Sequence, residues 1–245
     1  MSTNGQRKTG TRLPAKRPVQ SSGPARRRST KREGDPVTRR RVIDAAIKCI
    51  LEQGFYRASS NAIADTAGLS WGVIQYYFGS RESLMLAVLQ EGNRRLIETL
   101  SNADLTGATI AERLEQYSVI IERYYGDPEY LAFLQVLLNL SHDPRTSAQT
   151  RKSMIEDSDL IRAQLDRLTT QMFAGTGIRR AALRNFPFMV LRGLALSEVM
   201  LTTLPYDTAA IQRRIAEQRH MLADAVAWLI NNESAVPAKA PARTR

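Results

Sequence analysis

From residue 37 onward the apolar positions recur at the helical interval. In Ile110, Leu114, Tyr117, Ile121 and Tyr124, and again in Ile211, Ile215, Leu222, Ala225 and Leu229, hydrophobic side chains return along one helical face, with Gln218 the one polar interruption of the second series. At 3.6 residues per turn this spacing draws one apolar stripe on each helix. No stretch shows the sustained two-residue alternation, rich in Val, Ile and Thr, that marks a strand. Punctuation falls at Gly54, Gly68, Gly79, Gly107, Gly126-Asp127-Pro128, Asp143-Pro144, Gly175-Thr176-Gly177 and Pro205. Cutting there predicts an all-α chain of about nine helices without an internal repeat.

The first three helices carry more than periodicity. Val42, Ala45, Ala46, Cys49 and Ile50 share one face of a helix that ends before Gly54, and Ser59 or Ser60 can cap a short second helix. Ile63 and Ala67 point inward from that second helix, and Ala64 is small enough for another helix to cross close above it. Gly68 supplies a sharp left-handed turn, Leu69 can plug the corner, and Ser70 can cap a third helix whose Ile74 and Tyr77 face back. A small residue, a glycine four later and a branched apolar residue six after that is the spacing of a helix-turn-helix, whose second helix enters the DNA major groove.

Charge changes the picture because of where it lies. The 245 residues carry 35 Lys and Arg against 24 Asp and Glu, and thirteen of the basic residues fall within residues 1–41, where only Glu33 and Asp35 oppose them. The rest of the chain is therefore neutral, and the net charge of +11 belongs to the N-terminal arm. That arm is rich in Ser, Thr, Gly and Pro and poor in large apolar residues, so it cannot offset the entropy of ordering and is expected to be disordered. A run such as Arg26-Arg27-Arg28 through Arg32 is most often a solvated tail; beside a DNA-binding unit, a phosphate-contacting role is favoured. The single Cys49 and two distant histidines, His142 and His220, exclude a disulfide scaffold and a zinc module, and no metal or cofactor is expected. Cys49 reads as a small core residue, and the histidines as helix-end or surface residues. No apolar run approaches a membrane span or a signal segment, and a reducing cytoplasm fits best.

Residues 38–89 resemble the N-terminal domain of the TetR (tetracycline repressor) family. The likeness rests on the Ala45-Ala46 pair, Gln53-Gly54-Phe55, Ile63-Ala64, Ala67-Gly68, and Tyr77-Phe78 followed by Ser80-Arg81-Glu82-Ser83-Leu84; Gln75 departs from it, standing where the family usually has Tyr. The remainder is similar to the family only in being an all-helical block of suitable length, with Leu131 to Pro144 like a segment that often ends there in Asp-Pro. Composition sets off a disordered basic arm over 1–36 and a flexible tail over 233–245, and the resemblance implies a three-helix helix-turn-helix domain over 37–84 and a helical effector-binding and dimerisation domain over 85–232.

It also implies contacts with double-stranded operator DNA. Ser70, Trp71, Gly72, Val73, Gln75 and Tyr76 fall at the start of the recognition helix, and Ser60, Asn61 and Arg81 at phosphate-binding positions. The chemistry agrees: Gln75 can bond both edges of an adenine, Val73 can touch a thymine methyl, and Gly72 admits the backbone closely. Core burial is the competing reading for the aromatics. Helical phase favours DNA for Gln75 and Tyr76, leaves Trp71 open, and assigns Tyr77 and Phe78 to the core. For Arg81 the alternatives are a solvated charge or a pair with Glu82.

The larger half is expected to hold the sensor and a homodimer interface. Phe186 to Met200 is apolar on nearly every side, with Pro187 in its first turn, and Thr208 to Ile230 is amphipathic; with their two-fold mates they would make a four-helix interface. Tyr117, Tyr124, Phe133, Leu137, Met154, Ile161, Phe188 and Met189 are candidates to line a pocket for an unidentified small molecule, although plain packing is the commoner use of such stripes. Arg192, alone in an apolar run, is a snorkelling surface residue, a partner of a carboxylate, or an anchor for an anionic effector.

An enzyme would need a converging nucleophile and base or a carboxylate-and-His metal set, and neither spacing occurs. A non-specific architectural DNA binder would have little need of some 140 further residues. The expected function is a ligand-responsive transcriptional regulator, a repressor rather than an activator. Deleting residues 1–32 is expected to weaken binding to every DNA sequence and to flatten its salt dependence by about 0.9 in log–log slope for each phosphate that the arm no longer neutralises. Titrations at several salt concentrations measure this, and an unchanged slope would rule out a phosphate-contacting arm.

Overall fold

Helix α1 (Pro36–Gln53) starts where two helix-start signals coincide. The Asp35 carboxylate accepts the amides of Val37 and Thr38 at 3.2 and 3.1 Å, and Pro36 occupies a position where a missing N–H costs little. The chain is described by a computed structural model covering residues 35–202 and 209–232. The arm expected over 1–36, save for its last two residues, the tail over 233–245, and Pro205 lie outside the described residues.

Eight further helices follow: α2 (Ser60–Ala67), α3 (Trp71–Phe78), α4 (Arg81–Asn102), α5 (Ile110–Tyr125), α6 (Glu129–His142), α7 (Ala148–Met172), α8 (Ala181–Thr202) and α9 (Ala209–Asn231). No strand occurs among the described residues. Val42, Ala45, Ala46, Cys49 and Ile50 are all buried, as are Ile63, Ala64, Ala67, Ile74 and Phe78, which closes the three-helix unit around the expected stripe. Ser59, not Ser60, caps α2 by accepting the Ala62 amide at 3.2 Å, and Gly68 turns the chain at φ 60 and ψ 39. Ser70 stands at the cap position of α3, but its hydroxyl makes no capping bond.

Helix α4 is the centre of the molecule, in contact with α1, α3, α5, α6 and α7. Its Leu84, Met85, Val88 and Leu100 are completely buried, each worth roughly 1.5–3 kcal/mol. The Ser80 cap on the Ser83 amide contributes about 1 kcal/mol, so the cap fixes where α4 starts and packing fixes where it lies. Helices α5 and α8 pack together on its far side, and α9 lies on α8.

Two sequence expectations change here. Helix α8 begins at Ala181, which moves Pro187 from a first turn into the helix interior, where it cannot donate back to Leu183. Arg81 does not stand out as a phosphate ligand or pair with Glu82. Its guanidinium is half-buried over the Phe55 ring, 4.5 Å from the centre, and donates to the Phe55 carbonyl at 2.7 Å and the Ala58 carbonyl at 3.4 Å. Those carbonyls belong to the α1–α2 loop, whose own backbone bonds leave them open, so the arginine closes the loop. Glu82 instead accepts from the Ser147 amide and hydroxyl and from the Thr150 hydroxyl at the start of α7, and those bonds hold its carboxyl below the usual range.

The same device recurs. Arg167 donates to the carbonyls of Leu100 and Ala103 where α4 ends, Arg151 to those of Ser141 and Asp143 where α6 ends, and Arg113 to those of Met172 and Ala174 where α7 ends. The last carbonyls of a helix have no partner within it, and a guanidinium can serve several of them at once.

One buried carboxylate joins three helices. Glu91 of α4, 9% exposed, accepts from Arg40 of α1 at 2.7 Å and from Arg94 and Arg95 of its own helix, while Arg95 reaches Glu129 of α6 at 2.5 Å. Burial alone would raise the Glu91 carboxyl; the bonds from Arg94 and Arg95 and the charge of Arg40 outweigh it and bring it down to about 2, against 4.5 for the free side chain.

Two outcomes are expected. Arg81→Ala should cost about 2 kcal/mol of stability, through lost charge-assisted bonds to buried carbonyls, in urea unfolding. Because the folded Glu91 value lies below the unfolded one, its stabilisation is present above about pH 4.5 and fades as the pH falls through that value toward 2. Glu91→Gln should therefore lower the unfolding free energy measured in urea at pH 7, by ~2 kcal/mol once the half-exposed arginines are discounted, and the gap should shrink below pH 4.5. A gap independent of pH would show that charge pairing is not its source.

Candidate nucleic-acid interface and effector cavity

The exposed face of α3 is narrow. Gly72, Gln75 and Tyr76, at i, i+3 and i+4, are exposed, whereas Ile74 and Phe78 are buried and Tyr77 is half-buried behind them. Trp71, left open by the sequence, packs half-buried against the core, and Val73 is half-buried at the edge of the face. The Tyr76 ring, 65% exposed, stands edge-on to Tyr77, which fixes its direction without covering it. The Gln75 amide folds back to the Gly79 carbonyl at 2.6 Å, so reading a base would exchange that bond for a pair on the base edge. Ser70 is exposed just before the helix, and Ser60 and Asn61 occupy the first turn of α2, half-buried and exposed. Two cations counted only as arm charge in the sequence stand near this unit: the Arg39 guanidinium lies 5.4 Å over the Phe78 ring, and Arg41 lies against Gly68.

Behind the three-helix unit is a cavity of about 110 Å³. Its walls are Leu89, Asn93 and Leu96 of α4, Tyr124 and Tyr125 of α5, Tyr130, Phe133, Leu134 and Leu137 of α6, Met154, Ser158 and Ile161 of α7, and Arg192 of α8. Tyr124, Phe133, Leu137, Met154, Ile161 and Arg192 thus come together as the sequence candidates intended. Phe188 stands behind the wall, edge-on to Tyr125 at 5.9 Å. Tyr117 does not line the cavity; it is fully buried, which pushes its hydroxyl up to about 12. Met189 faces the other way, 61% exposed in a groove between α8 and α9, because it sits on the face of α8 opposite to buried Leu191 and Ala195. The sequence missed Leu89, Asn93, Leu96, Tyr125, Tyr130, Leu134 and Ser158; Leu89 and Leu96 gave no signal, since they continue the stripe that buries α4.

Arg192 is no snorkelling surface residue. It is half-buried, donates to the Tyr130 hydroxyl at 3.0 Å and lies 5.1 Å over the Tyr125 ring. No carboxylate pairs with it among the described residues. Tyr124, Tyr125 and Tyr130 pack edge to face around it, and burial pushes the Tyr124 and Tyr125 hydroxyls up, so both stay neutral. Leu137, Met154 and Ser158 also line an open groove of about 440 Å³ between α6 and α7.

The other chemistry-bearing residues are structural. His142 ends α6 with Nδ1 2.7 Å from the Leu138 carbonyl, and the Cys49 thiol is buried 3.1 Å from the Thr66 hydroxyl. Among the described residues no group of His, Cys, Asp and Glu is arranged to hold a metal ion, and no described helix is long and apolar enough to cross a membrane.

Residues 42–88, the three-helix unit and the start of α4, match the family described as "Bacterial regulatory proteins, tetR family". The HTH-type transcriptional repressor AcnR of Corynebacterium glutamicum is 27% identical over 166 residues, covering 65% of this chain and 82% of that protein. Its namesake from Corynebacterium efficiens is 27% identical over 124 residues, 51% of this chain but only 60% of the relative. In three dimensions the fold is that of the regulator FadR from Bacillus subtilis, solved in complex with stearoyl-CoA, at a TM-score of 0.52, 21% identity, and coverage of 74% of this chain and 96% of that one. The match to the tetR family of bacterial regulatory proteins thus spans the helix-turn-helix and the start of α4, and it is carried by a chain whose fold is shared with the FadR structure.

Proposed function

We propose that the chain is a sequence-specific transcriptional repressor that binds a palindromic operator as a homodimer and releases it when a small molecule occupies the cavity. One observation carries this reading: α4 is a wall of the cavity and, one residue away, the mount of the DNA-binding unit. Leu89, Asn93 and Leu96 face the cavity, while Glu91 between them holds Arg40 of α1. Gly92 lies so close under Phe133 that a Cβ there would meet the ring at 2.7 Å. A ligand that displaces Phe133 therefore pushes on the backbone of α4, and α1 follows through the Glu91–Arg40 ion pair.

The exposed apolar side chains of the last two helices, Met189, Met221 and Trp228, support the dimer. Two-fold symmetry then sets the two α3 helices at a distance suited to successive major grooves, ~34 Å or a related spacing. Ser60, Asn61 and Ser70 register the phosphates, Gln75 and Tyr76 read bases with Val73 at the edge, and Trp71 and Arg81 support them from within. Release by ligand requires differential affinity for the two spacings. Moving dimers from 99:1 to 1:99 takes ~5.5 kcal/mol, about half from each of two cavities.

Selection of bound fragments from random DNA by the purified protein is expected to yield a pseudo-palindrome. Gln75→Ala should relax the preference at one symmetric pair of positions, by roughly 1–3 kcal/mol per bidentate pair. Enrichment without a palindrome would instead indicate a non-specific binder. Loss of affinity that is uniform across sequences would remove Gln75 as a base reader.

A further inference from the structure

The cavity has a chemical polarity that a generic drug pocket lacks. Its lining contains one formal charge, Arg192, and no Asp or Glu. Taking a guanidinium half out of water costs free energy, which the Tyr130 hydroxyl and the Tyr125 ring face offset here, so the charge is held at the wall with one of its five N–H donors on Tyr130 and no carboxylate beside it among the described residues. Such a group is at its most favourable when an anion completes it. The geometry also prepares the second prong of a receptor. Because Arg192 donates to the Tyr130 oxygen, the proton of that hydroxyl is directed away from Arg192 and is available to an acceptor beside it.

The rest of the wall is apolar, with Leu89, Leu96, Phe133, Leu134 and Ile161. About 110 Å³ is less than the ~150 Å³ that accommodates a benzene ring, so the closed space holds an acidic head and a short stem. Anything longer continues past Leu137 and Met154, which also line the groove between α6 and α7.

We propose that the effector is a hydrophobic monocarboxylate, its carboxylate bound between Arg192 and Tyr130 and its apolar body lying along Phe133, Leu137 and Met154. This rests on the effector-cavity reading above and adds the ligand class. A single positive charge matches a monoanion, and the guanidinium fork matches the two oxygens of a carboxylate. A quaternary ammonium compound, which an aromatic cluster of three tyrosines could otherwise attract, is disfavoured by the same arginine.

Calorimetry with octanoate, octanamide and octyltrimethylammonium, one chain length with three head charges, tests this on the full chain. Octanoate is expected to bind at least tenfold more tightly than octanamide, and the ammonium most weakly. Arg192→Met should reduce octanoate affinity at least tenfold and leave octanamide unchanged; Arg192→Lys, which keeps the charge and loses the fork, should lie between; and Tyr130→Phe should weaken octanoate alone. Circular dichroism melts confirm that each variant folds. Leu137→Trp, which fills the cavity without touching the charge, should weaken octanoate and octanamide together. Octanoate binding no tighter than octanamide, or unaffected by Arg192→Met, or no octanoate binding at all, overturns the ligand class. If both probes bind and Leu137→Trp changes neither, the cavity reading itself falls.

Discussion

The crossing of α4 and α6 at Gly92 is the constraint on which the rest of the molecule depends. The Phe133 ring lies against the Gly92 backbone itself, 2.7 Å from where a side chain would begin, so α6 packs on α4 through that ring with no room for a Cβ. Close-packed interfaces of this kind shift between discrete arrangements and do not deform smoothly. A larger residue at position 92 would drive Phe133 into the cavity that it borders and shift α4 against α6 in one step.

Around that crossing, charge does the joining. Glu91 links α4 to α1, Arg95 and Glu129 link α4 to α6, and Glu82 links the first turn of α4 to the first turn of α7. Contacts of this sort, ionic at Glu91 and Arg95 and to hydroxyls and an amide at Glu82, add modest net stability compared with apolar packing, because desolvation and solvent screening offset much of their attraction. Their geometry is stricter than that of a methyl contact, however, and strict geometry is what a joint between a sensor and a reader needs. The apolar core supplies the stability, and the ionic contacts fix the register.

How much of this the sequence revealed depends on the range of the interaction. The three-helix unit was legible because its determinants are local: Ala64, Gly68 and Ile74 lie within eleven residues, and Gly68 adopts the left-handed turn that its position suggested. The pocket was partly legible, since Tyr124, Phe133, Leu137, Met154 and Ile161 follow helical stripes. Met189 failed because half a helical turn, about two residues, separates opposite faces, and its helix begins five residues earlier than its apolar run. Arg81 failed for a different reason. Nothing at positions 80–84 reveals that carbonyls 23 and 26 residues away lack partners, so an arginine in a family motif read as a DNA ligand when it closes a loop. Pairings at such separations, Arg40 with Glu91 among them, have no local signature.

The arginine clamps at the helix ends and the carboxylate joints within α4 respond differently to acid. The groups that accept from the arginines at the α1–α2 loop and at the ends of α4, α6 and α7 are backbone carbonyls, which take up no proton as the pH falls through the carboxylate range. Glu91 and Glu82 can take up protons, and both sit where α4 meets a neighbour. The fold thus separates its proton-insensitive parts, which shape each helix and loop, from its proton-sensitive parts, which set how those pieces are aligned. Acidification would therefore act first on the alignment of α4 with α1 and α7, through the same protonations that lower the stability of the fold.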